Sequence, residues 1–87
     1  MTTSRERTAQ RIELIERVRA VRLERFGRDI DLLATALGVP ARTWTNYEAG
    51  VVMPAEVMLR FLALTGASPE WLLTGRGYSS SDSPLDF

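Results

Sequence analysis

Glycine and proline residues recur at intervals that divide this 87-residue chain into five segments. Glycine ends a helix readily because it takes a left-handed backbone without strain, and proline is tolerated in the first turn of a helix. Within the segments, apolar residues recur about every 3.6 positions, and no segment shows the alternation of a β-strand. We therefore predict one all-α domain over residues 1–77, followed by a disordered polar tail over 78–87. The five predicted helices cover about 5–26, 30–37, 40–48, 54–65 and 71–74.

The sequence contains no cysteine and no histidine. This removes disulfide bonds and the residue that most often serves as a general base and as a zinc ligand. Asp29 and Asp31 lie close together, but two carboxylates without a third ligand make a poor metal site. No stretch approaches the roughly 20 apolar residues of a membrane span, and no apolar run follows the N-terminal arginines as in a signal peptide. We expect a soluble, cytoplasmic protein that is not an enzyme and that binds no metal, cofactor or small-molecule ligand.

The charges are balanced in number but not in position. Residues 1–28 carry eight arginines and four glutamates, whereas residues 29–87 carry three arginines and seven acidic residues. Two interpretations of the basic segment stay open. Its arginines either lie near a nucleic acid, or belong to a solvated helix with Glu–Arg pairs such as Glu13 with Arg17. For most of these arginines, taken singly, the second interpretation is favoured.

Residues 30–49 form the most informative stretch. Ala34 is small enough for the point where the second and third helices cross, and Gly38 suits the tight turn between them. Trp44 and Tyr47 share the inner face of the third helix, which makes them core residues rather than a pair that stacks on bases. Glu48 is interpreted as structural. The other predicted inward residues are Leu33, Leu37 and Val39, and the predicted outer face of the third helix carries Ala41, Arg42, Thr45, Asn46 and Ala49.

Two segments resemble a known family. The first runs from Leu33-Ala34 through Leu37-Gly38-Val39-Pro40 and Tyr47-Glu48-Ala49-Gly50 to Pro54, and the second is Trp71-Leu72-Leu73-Thr74-Gly75. Together they are similar to the Cro/XRE-type family of lambda-repressor-like helix-turn-helix domains, over roughly residues 15–77. The resemblance implies a five-helix fold, sequence-specific binding to double-stranded DNA, dimerisation on palindromic operators, and control of transcription, with repression the expected direction.

The resemblance also implies which residues contact DNA, because in this family the outer face of the third helix reads bases in the major groove. The base-reading candidates are Ala41, Arg42, Thr45 and Asn46. The arginine-rich first helix, rather than the resemblance, supplies the phosphate candidates Arg22, Arg25 and Arg28, and the outer face of the third helix adds Ala49.

Two segments depart from the family pattern. Asp29-Ile30-Asp31 stands where the family offers glutamine and backbone amides to a phosphate, and Val51-Val52-Met53 stands where the family carries lysine or arginine. Both changes lower the affinity that we expect for the phosphates of DNA. An alternative function therefore stays open: a protein-interaction module that keeps the repressor-like fold and has lost affinity for DNA.

The fourth helix is apolar on more than one side. Met58, Phe61 and Leu62 suffice for an inward stripe, and the remaining apolar residues are in excess of what a core needs. We therefore predict a homodimer that pairs through the fourth and fifth helices. Its predicted interface residues are Val57, Leu59, Leu64, Trp71 and Leu72.

Overall fold

The computed structural model describes residues 3–79, which form five α-helices and no strand, so the predicted all-α class is confirmed for this part of the chain. The predicted boundaries agree with the observed ones to within two residues. The helices are α1 (Ser4–Phe26), α2 (Ile30–Leu37), α3 (Ala41–Glu48), α4 (Ala55–Thr65) and α5 (Pro69–Thr74).

Side-chain caps explain where three of the helices begin. The Thr3 hydroxyl accepts a hydrogen bond from the Glu6 backbone N–H at 3.2 Å, and the Glu6 carboxylate accepts one from the Thr3 N–H at 3.1 Å. This reciprocal capping box satisfies two amides at the start of α1. Asp29 caps α2 and Ser68 caps α5 in the same way, each with its side chain accepting a hydrogen bond from a backbone N–H of the first turn.

The turn between α2 and α3 depends on Gly38. Its φ of 75° lies in the left-handed region, and the next N–H, from Val39, donates to the Ala34 carbonyl at 3.0 Å. This hydrogen bond satisfies a carbonyl of the last turn of α2, so the helix ends at Leu37 and the chain turns directly after it. The link to α3 is therefore only three residues long, and the two helices pack closely.

The core lies where α2, α3 and α4 meet the C-terminal half of α1. The Trp44 ring stacks on Phe61 with a centroid distance of 5.2 Å, and it meets Tyr47 edge-on at 6.0 Å. Such ring pairs add to the free energy that burial alone supplies. The predicted inward residues of α2 and α3 are buried, except that Val39 is half-buried; the buried set includes Leu33, Ala34, Leu37, Trp44 and Tyr47.

The buried stripe of α4 differs from the predicted one. Val57, Phe61 and Thr65 recur at four-residue intervals and are buried, whereas Met58 and Leu62 are half-buried at the edge of the core. The Thr65 hydroxyl is not left unsatisfied, because it donates to the Phe61 carbonyl at 2.7 Å. The inward stripe of α4 is thus rotated by about one residue from the prediction.

Two of the predicted interface residues are buried in the core, which corrects the prediction. Val57 and, on α5, Leu72 belong to the core and present almost no surface to a partner. Leu59 and Leu64 remain exposed, and Trp71 is half-buried against the core. Apolar composition alone could not distinguish these groups, since α4 is apolar on several sides.

Helix α1 extends past the core. Val18 and Val21 are buried, but residues 4–13 are all exposed, and Ile12 is 50% exposed although its spacing predicts an inward position. A helix of 23 residues is about 34 Å long, and the N-terminal part of α1 therefore runs out into solvent. None of the helices within residues 3–79 combines the length and apolar character that crossing a bilayer requires.

Tyr78 and Ser79, the first two residues of the predicted tail, lie within the described structure. The Ser79 carbonyl accepts a hydrogen bond from the Ser68 N–H at 3.0 Å, so the chain returns to the start of α5 at this point. Ser79 is half-buried there. The rest of the predicted tail, residues 80–87, lies outside the described residues.

The position of Phe61 predicts a large loss of stability on truncation. Phe61→Ala removes a fully buried ring that stacks on Trp44, so we expect the free energy of unfolding to fall by about 3–5 kcal/mol. Leu59→Ala, on the exposed side of the same helix, is the matched control and should change it by less than about 0.5 kcal/mol. Urea denaturation followed by circular dichroism measures both. Equal losses in the two variants would contradict the observed orientation of α4.

Candidate functional site

One side of α3 faces away from the core. Arg42, Thr45 and Asn46 are exposed, and Ala49, the residue that caps the helix, is exposed on the same side. Ala41 is half-buried and packs against the core edge, so it presents less surface than predicted. The Thr45 hydroxyl donates to the Ala41 carbonyl at 3.1 Å. The helix therefore offers two exposed side chains with free polar ends, Arg42 and Asn46, about one turn apart.

The inner side of α3 is joined to α1 by a group of residues that we name the Glu48 cluster: Arg19, Arg22, Trp44 and Glu48. Arg22 donates to both carboxylate oxygens of Glu48, from Nε at 2.8 Å and from Nη2 at 2.7 Å. The Trp44 indole N–H donates to the same carboxylate. Arg19 adds bonds to the Glu48 side chain at 3.2 Å and to its backbone carbonyl at 2.9 Å.

Burial and pairing act on the Glu48 carboxyl in opposite directions. Burial alone would raise the pKa of Glu48, because the charged form loses water. The hydrogen bonds from Arg22 and Trp44 outweigh burial, and the pKa lies below its ordinary value. For Arg22, the bond to Glu48 is the largest influence and raises its pKa. Both groups are thus charged in the folded protein, and their charges satisfy each other.

The Glu48 cluster corrects one predicted phosphate contact. Arg22 is only 7% exposed, and each of its three guanidinium nitrogens donates a hydrogen bond, two of them to Glu48 and one to the Gly27 carbonyl at 2.8 Å. It cannot reach a phosphate in this fold. The other two predicted phosphate contacts are exposed: Arg25 lies in the last turn of α1, and Arg28 directly follows the Gly27 cap. The sequence did hold a signal for Arg22, since it occupies a position of the apolar stripe of α1.

Two other arginines of α1 also bind backbone oxygens across the fold. Arg17, which the sequence pairs with Glu13, donates instead to the carbonyls of Leu72 and Leu73 at 2.7 and 3.2 Å. These carbonyls end α5, where a cation is favourable because of the helix dipole. Arg11 donates to the Gly50 carbonyl in the loop after α3. The arginines of α1 therefore serve largely as tertiary contacts rather than as partners of glutamates on the same helix.

The two segments that depart from the family pattern lie at the surface. Asp29 uses its carboxylate to cap α2, where it accepts from the Leu32 N–H at 3.0 Å, and Asp31 is exposed in the first turn. Val51 and Val52 are exposed in the loop between α3 and α4, the second of them by 69%. Within residues 3–79, no three carboxylates come close enough together to hold a metal ion.

Comparison with known proteins adds no relative. The chain matches no protein-family model, no curated protein and no solved structure. The fold and the site therefore define an all-α, five-helix domain over residues 3–79. The resemblance to the Cro/XRE-type family therefore stays an expectation that rests on the sequence motifs alone.

The ion pair between α1 and α3 predicts a strong effect of Glu48→Gln. The variant keeps the shape of the side chain but leaves the buried Arg22 guanidinium without a counter-charge, so we expect the free energy of unfolding to fall by about 3 kcal/mol. Glu56→Gln is the matched control, because the ion pair of Glu56 with Arg60 is exposed and should contribute little. Urea denaturation at neutral pH measures both. Similar small losses would show that the Glu48 cluster does not stabilise the fold.

The stability difference between the wild-type protein and Glu48→Gln is expected to depend on pH. Folding lowers the pKa of Glu48, so protons bind the unfolded chain more readily than the folded one. The stability that Glu48 supplies is complete above its unfolded pKa of about 4.3 and is lost as the pH falls through the lower folded value. The difference in unfolding free energy between wild type and Glu48→Gln should shrink below about pH 4. A difference that is unchanged in acid would contradict a lowered pKa.

Proposed function

We propose that this protein binds double-stranded DNA and regulates transcription, with α2 and α3 acting as a helix-turn-helix and α3 entering the major groove. The observation that carries the proposal is the two-sided character of α3. Its inner side is fixed by Trp44, Tyr47 and Glu48, while its outer side leaves polar side chains exposed. A recognition helix needs both properties, because base readout depends on side chains held in register with the groove.

The exposed side chains of α3 suit the chemistry of base edges. The Arg42 guanidinium can donate two parallel hydrogen bonds to guanine, and the Asn46 amide can pair with adenine. The methyl group of Thr45 suits contact with a thymine methyl. Arg28, and Arg25 beside it, supply positive charge at the end of α1 for contact with phosphates.

The alternative function is a protein-interaction module on the same fold. Two observations favour it. Asp31 places an exposed negative charge in the first turn of α2, where a phosphate would be repelled, and Val51 and Val52 expose apolar surface where a basic loop would hold the DNA backbone. A chain with zero net charge also gains little from long-range attraction to DNA.

Selection of bound sequences from a random duplex library separates the two functions. A DNA-binding regulator enriches a recurrent motif, and its affinity for that motif falls steeply as salt rises, because bound phosphates release counterions. An interaction module enriches no motif. A random library contains every short duplex sequence, so the operator is an outcome of the selection, and a duplex that carries the selected motif then serves for the variants.

Substitutions of Arg42 and of Arg28 are expected to affect DNA binding in different ways. Arg42→Ala should cost about 1–3 kcal/mol on the selected duplex and relax the preference at one base pair. Arg28→Ala should weaken binding to all duplexes alike and reduce the salt slope by about one unit. Fluorescence anisotropy over a salt series measures both. An unchanged sequence preference in Arg42→Ala would remove Arg42 from the base-reading set.

We also propose that the protein acts as a homodimer. Two copies double the phosphate contacts of a domain that has few of them, and two half-sites must then match together. Leu64 is the proposed interface residue, because it lies in the last turn of α4, five residues before α5 begins, and is 42% exposed. Leu59, at 66% exposure, lies about 140° around the helix from Leu64, so one flat partner surface does not cover both.

Substitution of the two leucines tests this interface. Leu64→Glu should dissociate the dimer and weaken DNA binding while leaving the helical circular dichroism spectrum intact, because it places a charge in an apolar contact. Leu59→Glu, on the other side of α4, should leave the dimer unchanged. Sedimentation equilibrium at tens of micromolar measures the mass. A wild-type chain that sediments at 9.8 kDa with and without DNA would end the dimer proposal.

A further inference from the structure

An apolar groove of about 310 Å³ lies between α1, the loop after α3 and the start of α4. One wall is formed by Leu14, Ile15 and Val18 of α1. The opposite wall is formed by loop residues 51–53 and by Met58 of α4. This volume falls at the lower end of the range for small-molecule sites, which are mostly apolar with a few polar groups.

Two charged side chains line the groove, and they differ in what they can still bind. Glu48 is occupied, since its carboxylate already accepts bonds from Arg22, Arg19 and Trp44. Arg11 is exposed and makes one hydrogen bond, to the Gly50 carbonyl; among residues 3–79 no carboxylate pairs with it. A guanidinium has five N–H donors, so Arg11 keeps several for a ligand, and the bond to Gly50 fixes its position.

We propose that this groove binds an apolar monocarboxylate, with the hydrocarbon part between Val18, Val52 and Met58 and the carboxylate on Arg11. Apolar walls favour the hydrocarbon because binding removes it from water. The single uncompensated charge is positive, so it selects an anion over a neutral or cationic molecule of the same shape. The proposal goes beyond DNA binding, and it departs from the sequence-based expectation of no small-molecule ligand.

The size of the groove favours a small molecule over a protein surface. A stable protein–protein interface buries roughly 800 Å² on each partner, whereas this groove is a compact hollow between three elements of one chain. The opposite charge at Arg11 then specifies an acid group on the ligand. Because the loop 51–53 closely follows α3, a bound ligand would lie against the C-terminal end of that helix.

Decanoate and decylamine serve as matched probes, because they share a hydrocarbon chain and carry opposite charges. Methyl NMR spectra of the full chain are recorded with each probe below its micelle concentration. Decanoate should shift the methyl signals of Val18, Val52 and Met58, and should leave those of the exposed Leu59 and Leu73 unmoved. Decylamine should bind at least about tenfold more weakly. Equal affinities, or shifts that extend equally to Leu59 and Leu73, would overturn the proposal.

Two variants test the proposed contacts. Arg11→Gln should weaken decanoate binding about five- to tenfold, while Arg7→Gln, one turn earlier on the same exposed part of α1, should change it less than about twofold. Val52→Glu alters an exposed side chain and should not affect folding, but its negative charge should abolish decanoate binding by repulsion and strengthen decylamine binding. Unaltered decanoate affinity in either Arg11→Gln or Val52→Glu would remove the site.

Other occupants of the groove would be visible in the same spectra, which need no DNA and so stand apart from the proposed function. Groove methyl signals that move with protein concentration, without any probe, would assign the groove to a second copy of the chain. A chain that ends at Ser79 and binds decanoate about tenfold more tightly than the full chain would assign it to residues 80–87. Either result would overturn the proposal of a free ligand.

Discussion

The bidentate ion pair between Arg22 and Glu48 fixes how the rest of the structure is assembled. It is buried on both sides, and it joins the C-terminal half of the long helix α1 to the last residue of α3. The same carboxylate accepts from the Trp44 indole, whose ring stacks on Phe61 of α4. The Glu48 carboxylate is therefore bonded directly to α1 and, through the Trp44 ring, is linked to α4.

The Arg22–Glu48 pair affects the stability of the fold more than an exposed ion pair does, and the reason lies in hydration. Two charges removed from water lose hydration, and only good geometry with every donor and acceptor satisfied compensates for it. In residues 3–79 no buried polar side-chain atom lacks a partner, which means the Glu48 cluster meets that condition. The exposed pair between Glu56 and Arg60 carries no such requirement, since water solvates each of its members when the pair breaks.

The sequence predicts the elements of this fold better than their contacts, for physical reasons. Glycine and proline act locally, so the five helices and the turn at Gly38 follow from them directly. The inward side of α3 follows as well, because Trp44 and Tyr47 are its large apolar residues. The predicted stripe of α4 is wrong by about one residue because an apolar neighbour, Met58, stands beside Val57. The partners of Arg17 and Arg22 could not be predicted, since a long flexible side chain reaches residues that only the tertiary fold brings near.

The use of arginines in α1 also changes what the charge distribution means. At least four of the eight arginines in residues 1–28 donate to oxygen atoms elsewhere in the protein, among them Arg11, Arg17, Arg19 and Arg22. Part of the positive excess of that segment therefore holds the fold together, and Arg22 is removed from the surface altogether. Under the proposed function, attraction to DNA then depends on a short set of exposed arginines around α3 and the end of α1. Recognition by such a surface rests on geometry at the bases more than on net charge, which is consistent with a chain of zero net charge.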